Sequence, residues 1–194
     1  PLAAEGVTVT FQSDGASYHN TFGWYRLDDD GNPTDPQIIW TDASDDVISE
    51  GATVTLDGLA PGEKFGFFII QDGADEYDSL AGQVQAGDSL RFDASGNLEF
   101  IDGSGDVTLS IGADDLFYSD ASLNPDGINH AVSGVDGDDL VIAFEDLTNG
   151  GDNDFDDVVV SVKYQGVEGP QTTTSDSFSF TAEDGSGNAV ADQP

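Results

Sequence analysis

Eight Asp-Gly pairs cut the chain into short pieces, beginning at Asp14, Asp30, Asp57, Asp72, Asp102, Asp126, Asp136 and Asp184, and Asn149-Gly150 adds a ninth turn signal. Such pairs favour positive φ angles and hairpin turns. No window between them sustains a helical period. The pieces are instead short and apolar or alternating. Val7, Val9 and Phe11 alternate with Thr8 and Thr10, and Val54 and Leu56 with Thr53 and Thr55, the pattern of half-buried strands. Phe65-Gly66-Phe67-Phe68-Ile69-Ile70 reads as a strand buried on both faces. Leu90-Arg91-Phe92, Leu98-Glu99-Phe100 and Val107–Ile111 read as a meander, and Leu140–Phe144 and Val158–Val162 as a last strong pair. The expected fold is mostly β: a single-domain antiparallel β-sandwich or jelly-roll-like fold of about eight to ten strands with long Asp/Gly-rich calcium-binding loops. The domain spans residues 1–165. Residues 166–194 have linker composition around Gln171–Ser175 and then Phe178-Ser179-Phe180, and read as a linker plus the start of a neighbouring module or a docked tail.

Charge narrows the partners. The 194 residues carry 39 acidic and 4 basic side chains, a net charge of -35. That field repels phosphate, which makes nucleic acid and anionic lipid poor partners; no nucleic acid partner is expected. Asp outnumbers Glu by 31 to 8. A solubilising coat would serve with either residue, whereas Asp is the shorter carboxylate favoured in turns and cation-wrapping loops. With no Cys, disulfides, zinc-thiolate sites and Cys nucleophiles are excluded. The longest apolar run, Phe65–Ile70, is too short for membrane insertion. Pro1-Leu2-Ala3-Ala4-Glu5 has none of the regions of a signal peptide. The chain reads as an excerpt of something longer, or as a protein exported by another route.

The densest constellation is Phe144–Asp157, between two apolar strands. Glu145, Asp146, Asp152, Asn153, Asp154, Asp156 and Asp157 all offer oxygen, and Asn149 is an eighth donor. Calcium takes six to eight oxygens at about 2.3–2.6 Å. Closely spaced carboxylates supply them, and Gly150-Gly151 lets the backbone turn around an ion. The competing reading is a solvated acidic hairpin. Weaker sets surround it. Asp28-Asp29-Asp30-Gly31-Asn32 resembles part of an EF-hand loop without its closing Glu or flanking helices. Asp72–Asp78 follows the most apolar strand. Asp120 and Asp126 are candidate metal ligands ahead of His130, with Asp136, Asp138 and Asp139 beyond it. His130, Asn124, Tyr77 and Tyr118 are candidate ligand contacts, the two tyrosines because each adjoins an acidic turn. Trp24, Tyr25 and Trp40 are core candidates.

Two motifs point elsewhere. Gly150–Phe155 echoes the nonapeptide calcium roll but occurs once, and a roll needs stacked copies. Gly87-Asp88-Ser89-Leu90 is similar to a serine hydrolase signature. That class uses an α/β scaffold and a late Asp-x-x-His, whereas Asp126 stands four residues before His130. The expectation is a protein that is not an enzyme.

Several stretches together resemble the calcium-dependent peptide-binding domain of very large bacterial RTX adhesins. They are Asn20–Tyr25 with Asp28–Asn32, Gly66–Gly73, Phe117–Asp120 through Asn124–Gly127 with His130, Ala143–Leu147, and Gly150–Val159. The likeness runs from about residue 5 to 165. It departs at Asp156, where the family often has Asn. The resemblance implies a module near the tip of a fibrillar adhesin on the bacterial surface, joined to other domains of the same long chain. It implies bound Ca2+ that holds the free C-terminal carboxylate of peptides or proteins on host or neighbouring cells, for adhesion and biofilm formation. A calcium-dependent lectin and a calcium-stiffened extender are the alternatives. Export is expected to precede folding, since calcium is abundant outside the cell and scarce within it.

Overall fold

The computed structural model describes residues 6–60, 62–77 and 89–165. Twelve strands form in these segments: β1 (Gly6–Ser13), β2 (Thr21–Leu27), β3 (Pro33–Trp40), β4 (Thr53–Leu56), β5 (Phe65–Ile70), β6 (Ser89–Phe92), β7 (Leu98–Ile101), β8 (Val107–Ile111), β9 (Leu116–Tyr118), β10 (Ala131–Asp136), β11 (Asp139–Phe144) and β12 (Val158–Gln165). One helical turn, Gly73–Glu76, and three 3-10 turns complete the described elements. Residues 166–194, the expected linker, lie outside the described residues.

The strands make three antiparallel sheets, ordered β10-β11-β12-β1-β4, β3-β2-β5-β9 and β6-β7-β8. The middle sheet is covered on both faces, and β5 shows why. Its Phe67 and Ile69 join a core with Val9 and Phe11 of β1, Phe144 of β11 and Val158 and Val160 of β12. Its Phe68 and Ile70 point into a second core with Leu98, Phe100 and Ile111 of the third sheet. A run with no polar alternation can sit only where both faces are dry. In the large sheet the alternation is kept, and registered pairs such as Phe11 with Val160 and Ile142 with Val160 bring the apolar sets to one face. Phe22 joins the two sheets, stacked on Trp40 and Phe67 and edge-on to Phe144.

The mostly-β sandwich is as expected, but with more strands than the sequence suggested. The additions are β2, β3, β9 and β10. In β2 residues 21–25 are all buried, so no period shows, and two register shifts interrupt its pairing with β3. Two prolines lie in β3, Pro33 and Pro36, as fits an edge strand. Only three residues form β9, and β10 is an exposed edge with few apolar side chains.

Gly23 marks the tightest point between β3 and β5. A Cβ there would run into the Phe68 ring and lie 2.7 Å from the Gln37 carbonyl oxygen. Gly23→Ala is expected to cost ~1–3 kcal/mol. Gly134→Ala in β10, where a Cβ meets nothing within 4 Å, should stay within ~0.5 kcal/mol of wild type. Urea unfolding midpoints at fixed calcium check the pair.

Candidate metal centre

Phe144 and Val158 are register partners at the end of the β11–β12 pair, so residues 145–157 form a loop clamped at both ends. Asp157 N–H closes it onto the Phe144 carbonyl at 3.1 Å. Within the loop the backbone is left-handed at Asn149, Gly150, Gly151, Asn153 and Phe155. For Phe155 (φ 53°) this is a costly conformation that the surroundings must impose. Four other segments hold the loop down. Gly15 N–H donates to the Asp156 carbonyl (2.8 Å), Asn20 Nδ2 to Asp146 Oδ2 (2.7 Å), Gln71 Nε2 to the Asp146 carbonyl (2.6 Å) and Asn149 N–H to Asp126 Oδ2 (3.1 Å).

These restraints bring six carboxylates together. Glu145, Asp146 and Asp157 form one group with ligand atoms within 4.8 Å of one another. Glu145, Asp152 and Asp154 form a second, and Asp154, Asp156 and Asp157 a third. Glu145 and Asp146 are buried at 0% and 2% exposure, whereas Asp152 and Asp154 are exposed. Asp146 N–H donates to Asp157 Oδ2 (2.7 Å), so the inner group is partly satisfied. Glu145 is less so: neither of its buried side-chain oxygens has a well-formed hydrogen bond, and the nearby Asn153 N–H only partly offsets the cost of its charge.

The electrostatics follow from burial first and like charge second. Burial, then the charges of Asp157 and Asp152, push the Glu145 carboxyl above its usual range. Asp146 is raised by burial and by Glu145, against the bond from Asn20. Asp157 is pushed up to about 6 by burial, with Asp146, Asp154 and Asp156 adding to it against the bond from Asp146 N–H. At 4.8 Å, two carboxylates repel by on the order of 3 kcal/mol at an effective dielectric of about 20. Among the described residues no ion pair reaches this group. Arg26 pairs with Glu63, Arg91 with Glu99 and Lys163 with Asp139, all outside the loop. The donor set is all oxygen, which suits calcium or magnesium and not the metals that favour imidazole or thiolate.

The other candidates of the sequence have different surroundings. Asp126 is committed to hydrogen bonds: its Oδ2 meets His130 Nε2 (2.9 Å) and its Oδ1 accepts from Ile128 N–H. Burial would raise its carboxyl, but the bonds from His130, Asn149 and Ile128 prevail and hold it below the usual range. His130 is fully buried, stacked on Phe117, with Nδ1 donating to the Glu145 carbonyl (3.1 Å). It anchors the loop and does not face a ligand. With both ring nitrogens engaged, it is not free to act as a base for Ser89, and Gly87 and Asp88 lie outside the described residues. Asp120 caps a 3-10 turn through Ser122. Asn124 is buried, bonding both the N–H and the carbonyl of Tyr118 and the carbonyl of Ile128. Tyr118 packs in the second core against Tyr25, Phe68 and Phe92. The Tyr77 hydroxyl donates to Asp115 (2.8 Å). Asp72 accepts from His19 N–H and opens the short helix, and Asp78 lies outside the described residues.

The EF-hand-like loop belongs to a set of three hairpin turns. Asp28 Oδ1 accepts from the N–H groups of Asp30 and Asn32, Asp93 Oδ1 from Ser95 and Asn97, and Asp102 Oδ1 from Ser104 and Asp106. Each has a glycine at positive φ in the fourth place: Gly31, Gly96 and Gly105. These carboxylates are spent on the turn itself. Asn20 and Gln71 position Asp146 and are not legible in the sequence, since a lone amide in a strand flank has no signature of its own.

The fold and this centre define a class: an antiparallel β-sandwich carrying one acidic, metal-competent hairpin loop. Over residues 59–165 the chain matches the family described as a domain of unknown function, DUF4114. The match spans more than half of the chain, and the protein belongs to that family. No curated protein and no solved structure matches it.

Two outcomes test the centre. In chelator, the raised carboxyls favour the folded state when protonated. For Asp157 this contribution is complete below the ordinary 3.8 and is lost as pH rises through about 6. The melting temperature in chelator should therefore fall between pH 4 and 7. The stabilisation by added calcium should be largest near pH 7 and shrink below pH 6. Scanning fluorimetry across pH reads both; a melting temperature that climbs from pH 4 to 7 in chelator contradicts the assignment. Separately, Asp126→Ala should cost ~1–3 kcal/mol through its lost hydrogen bonds yet leave bound calcium unchanged, as counted by native mass spectrometry.

Proposed function

We propose that this protein is a calcium-dependent ligand-binding module of a large bacterial cell-surface adhesin. It captures the free C-terminal carboxylate of peptides or proteins on host or neighbouring cells and serves adhesion and biofilm formation. It is a binder and not an enzyme, and it works outside the cell beside other domains of the same long chain. The observation that carries this reading is Glu145: a fully buried carboxylate with neither oxygen in a well-formed hydrogen bond, amid five further carboxylates. Such a group is tolerable only when neutralised, and a bound divalent cation does that without protonation.

A loop-bound calcium with an open coordination position attracts a carboxylate that a net charge of -35 otherwise repels. The exposure of Asp152 and Asp154 supports such an opening. The neighbouring surface supports recognition of the residues that precede the carboxylate. A groove of about 360 Å3 starts at Thr148 of the loop and runs past Phe117 and Pro125. A second, of about 570 Å3, shares Pro125 and Asp114 with it and reaches Tyr118, Leu123 and Phe92. Both grooves mix apolar and acidic walls: Asp114 and Asp126 stand beside Phe117 and Pro125 in the first, and Asp93 and Asp114 beside Phe92 and Leu123 in the second. Affinity per site is modest, and many adhesin copies raise it on a cell surface.

Calcium at about a hundredfold above its dissociation constant should raise the melting temperature by about 5–10 °C. A peptide ending in a free carboxylate should raise it further. Its amidated twin should not, and chelator should abolish both effects. Stabilisation by a sugar panel and not by free-acid peptides would establish the lectin alternative instead.

A further inference from the structure

We infer that the open end of the sandwich, away from the acidic loop, is a docking groove for the C-terminal segment of this same chain, with Phe178 and Phe180 as the apolar anchors. The groove stands apart from the candidate metal centre and needs no ion.

At this end the core-facing stripes of the strands run out of cover. Side chains two apart along a strand share a face. In β12 that face carries Val158, Val160, Val162 and Tyr164; the first three are buried, whereas Tyr164 is 60% exposed. In β11 Ile142 and Phe144 are buried and Leu140 only partly so, and in β5 Phe67 and Ile69 are buried and Phe65 only partly so. Val7 of β1 is the register partner of Tyr164. With Leu59, these side chains line a groove of about 640 Å3 that continues the first core outward. Phe144 and Val158 bound the acidic loop, while Leu140 and Val162 pair at the other end of the same two strands. The groove and the loop therefore lie at opposite ends of the β11–β12 pair.

The walls select an uncharged, apolar occupant. Two carboxylates stand on the groove. Glu63 is held by Arg26 Nε (2.7 Å) and by Ala60 N–H (2.8 Å), and Asp138 is exposed. A second copy of the chain would set another net charge of -35 against the first. A tethered segment avoids most of that repulsion, and its effective concentration is on the order of millimolar. Residues 169–182 fit this need, with Asp176 their one charged side chain.

The segment also starts at the groove. β12 ends at Gln165, next to Tyr164 and in register with Gly6, and Gly6, Val7 and Tyr164 all line the groove. Gly166 and Gly169-Pro170 are turn formers that suit a reversal of the chain. From Gln165 to Phe178 an extended chain spans up to roughly 40 Å, enough to come back over the end of the sandwich. Phe178-Ser179-Phe180 places two rings on one side of an extended segment. Each ring buries about 150–250 Å2 when covered, and the open stripe between β5 and β12 is where such rings complete a core.

Two experiments on the full chain read the contact. In the first, a photoreactive benzophenone amino acid replaces Phe180, and peptide mapping by mass spectrometry locates its crosslinks in dilute solution. Crosslinks within one chain to Leu59–Phe65 or to Val162–Tyr164 are expected. Crosslinks confined to other surfaces overturn the proposal, and crosslinks to a second chain replace it with self-association. In the second, Phe178→Ser combined with Phe180→Ser should lower the melting temperature by roughly 3–6 °C and speed hydrogen exchange across Leu59–Phe65. Exchange there that matches wild type overturns the proposal. If deleting residues 1–5 speeds that exchange and the double substitution does not, the N-terminal segment is the occupant and the proposal fails. The calcium-induced rise in melting temperature should be the same in the double variant as in wild type, so failure of the docking leaves the calcium reading standing.

Discussion

A carboxylate buried without a well-formed hydrogen bond is among the most costly groups a folded chain can contain, and Glu145 is one. Much of the surrounding structure makes sense as the apparatus that keeps it there. Its backbone is fixed from both sides, its N–H donating to the His130 carbonyl and its carbonyl accepting from the His130 ring. His130 is in turn wedged against Phe117 and tied to Asp126. Asp126 then reaches back to the loop through Asn149. The path His130–Asp126–Asn149 is a closed brace around the acidic turn. Its members look like metal ligands by residue type, yet their function is to hold the loop in a shape that its own charges oppose.

The same economy explains why so negative a chain has an ordinary core. The acidic residues are concentrated in turns, and the strands carry the apolar residues on registered faces. Positive groups are few; Arg91–Glu99 and Lys163–Asp139 are exposed on the basic side and contribute little, whereas Arg26–Glu63 is largely buried, with Arg26 over the Trp24 ring. Stability in the sandwich therefore rests on burial of the two aromatic-rich cores about β5. The acidic end has no such apolar support, and no ion pair among the described residues reaches its carboxylates.

How much of this is legible in the sequence divides along physical lines. Strands with clear alternation or a long apolar run, β1, β5 and β12 among them, are visible because periodicity reports burial directly. The loop of 145–157 stands out by carboxylate density alone. Density does not distinguish a spent carboxylate from a free one. Asp28, Asp93 and Asp102 sit in turns whose Asp, Gly and final Asn or Asp resemble a metal loop in composition, but the first carboxylate closes the turn. The useful difference is positional: an Asp followed three residues on by a left-handed Gly satisfies itself locally. Glu145 has no such neighbour, and it follows directly on an apolar strand that carries it indoors. Asn124 and Asp126 escape this distinction because their partners, Tyr118, His130 and Asn149, are set by how β9 and β10 lie beside the loop, and those two strands carry the weakest pattern in the sequence; Asp120 is spent locally, on Ser122.

The boundary of the family match also bears on what constitutes the working unit. The match begins at residue 59 and takes in β5 to β12 with the acidic loop. Yet β1 lies between β12 and β4, and β2 between β3 and β5, so neither principal sheet is whole without the first 56 residues. The dependence reaches the candidate centre itself. Asn20, just ahead of β2, donates to Asp146, and its Oδ1 accepts from Asp72 N–H. Gly15 lies against the Asp156 carboxylate, so a side chain at that position would require Asp156 to move from its place in the acidic loop. The loop that carries the chemistry lies in the matched region, while part of the wall that shapes it comes from the segment before. A fragment confined to residues 59–165 would keep all six carboxylates and lose the contacts that hold two of them in place, so the sandwich from β1 onward is the smallest piece in which the centre is complete.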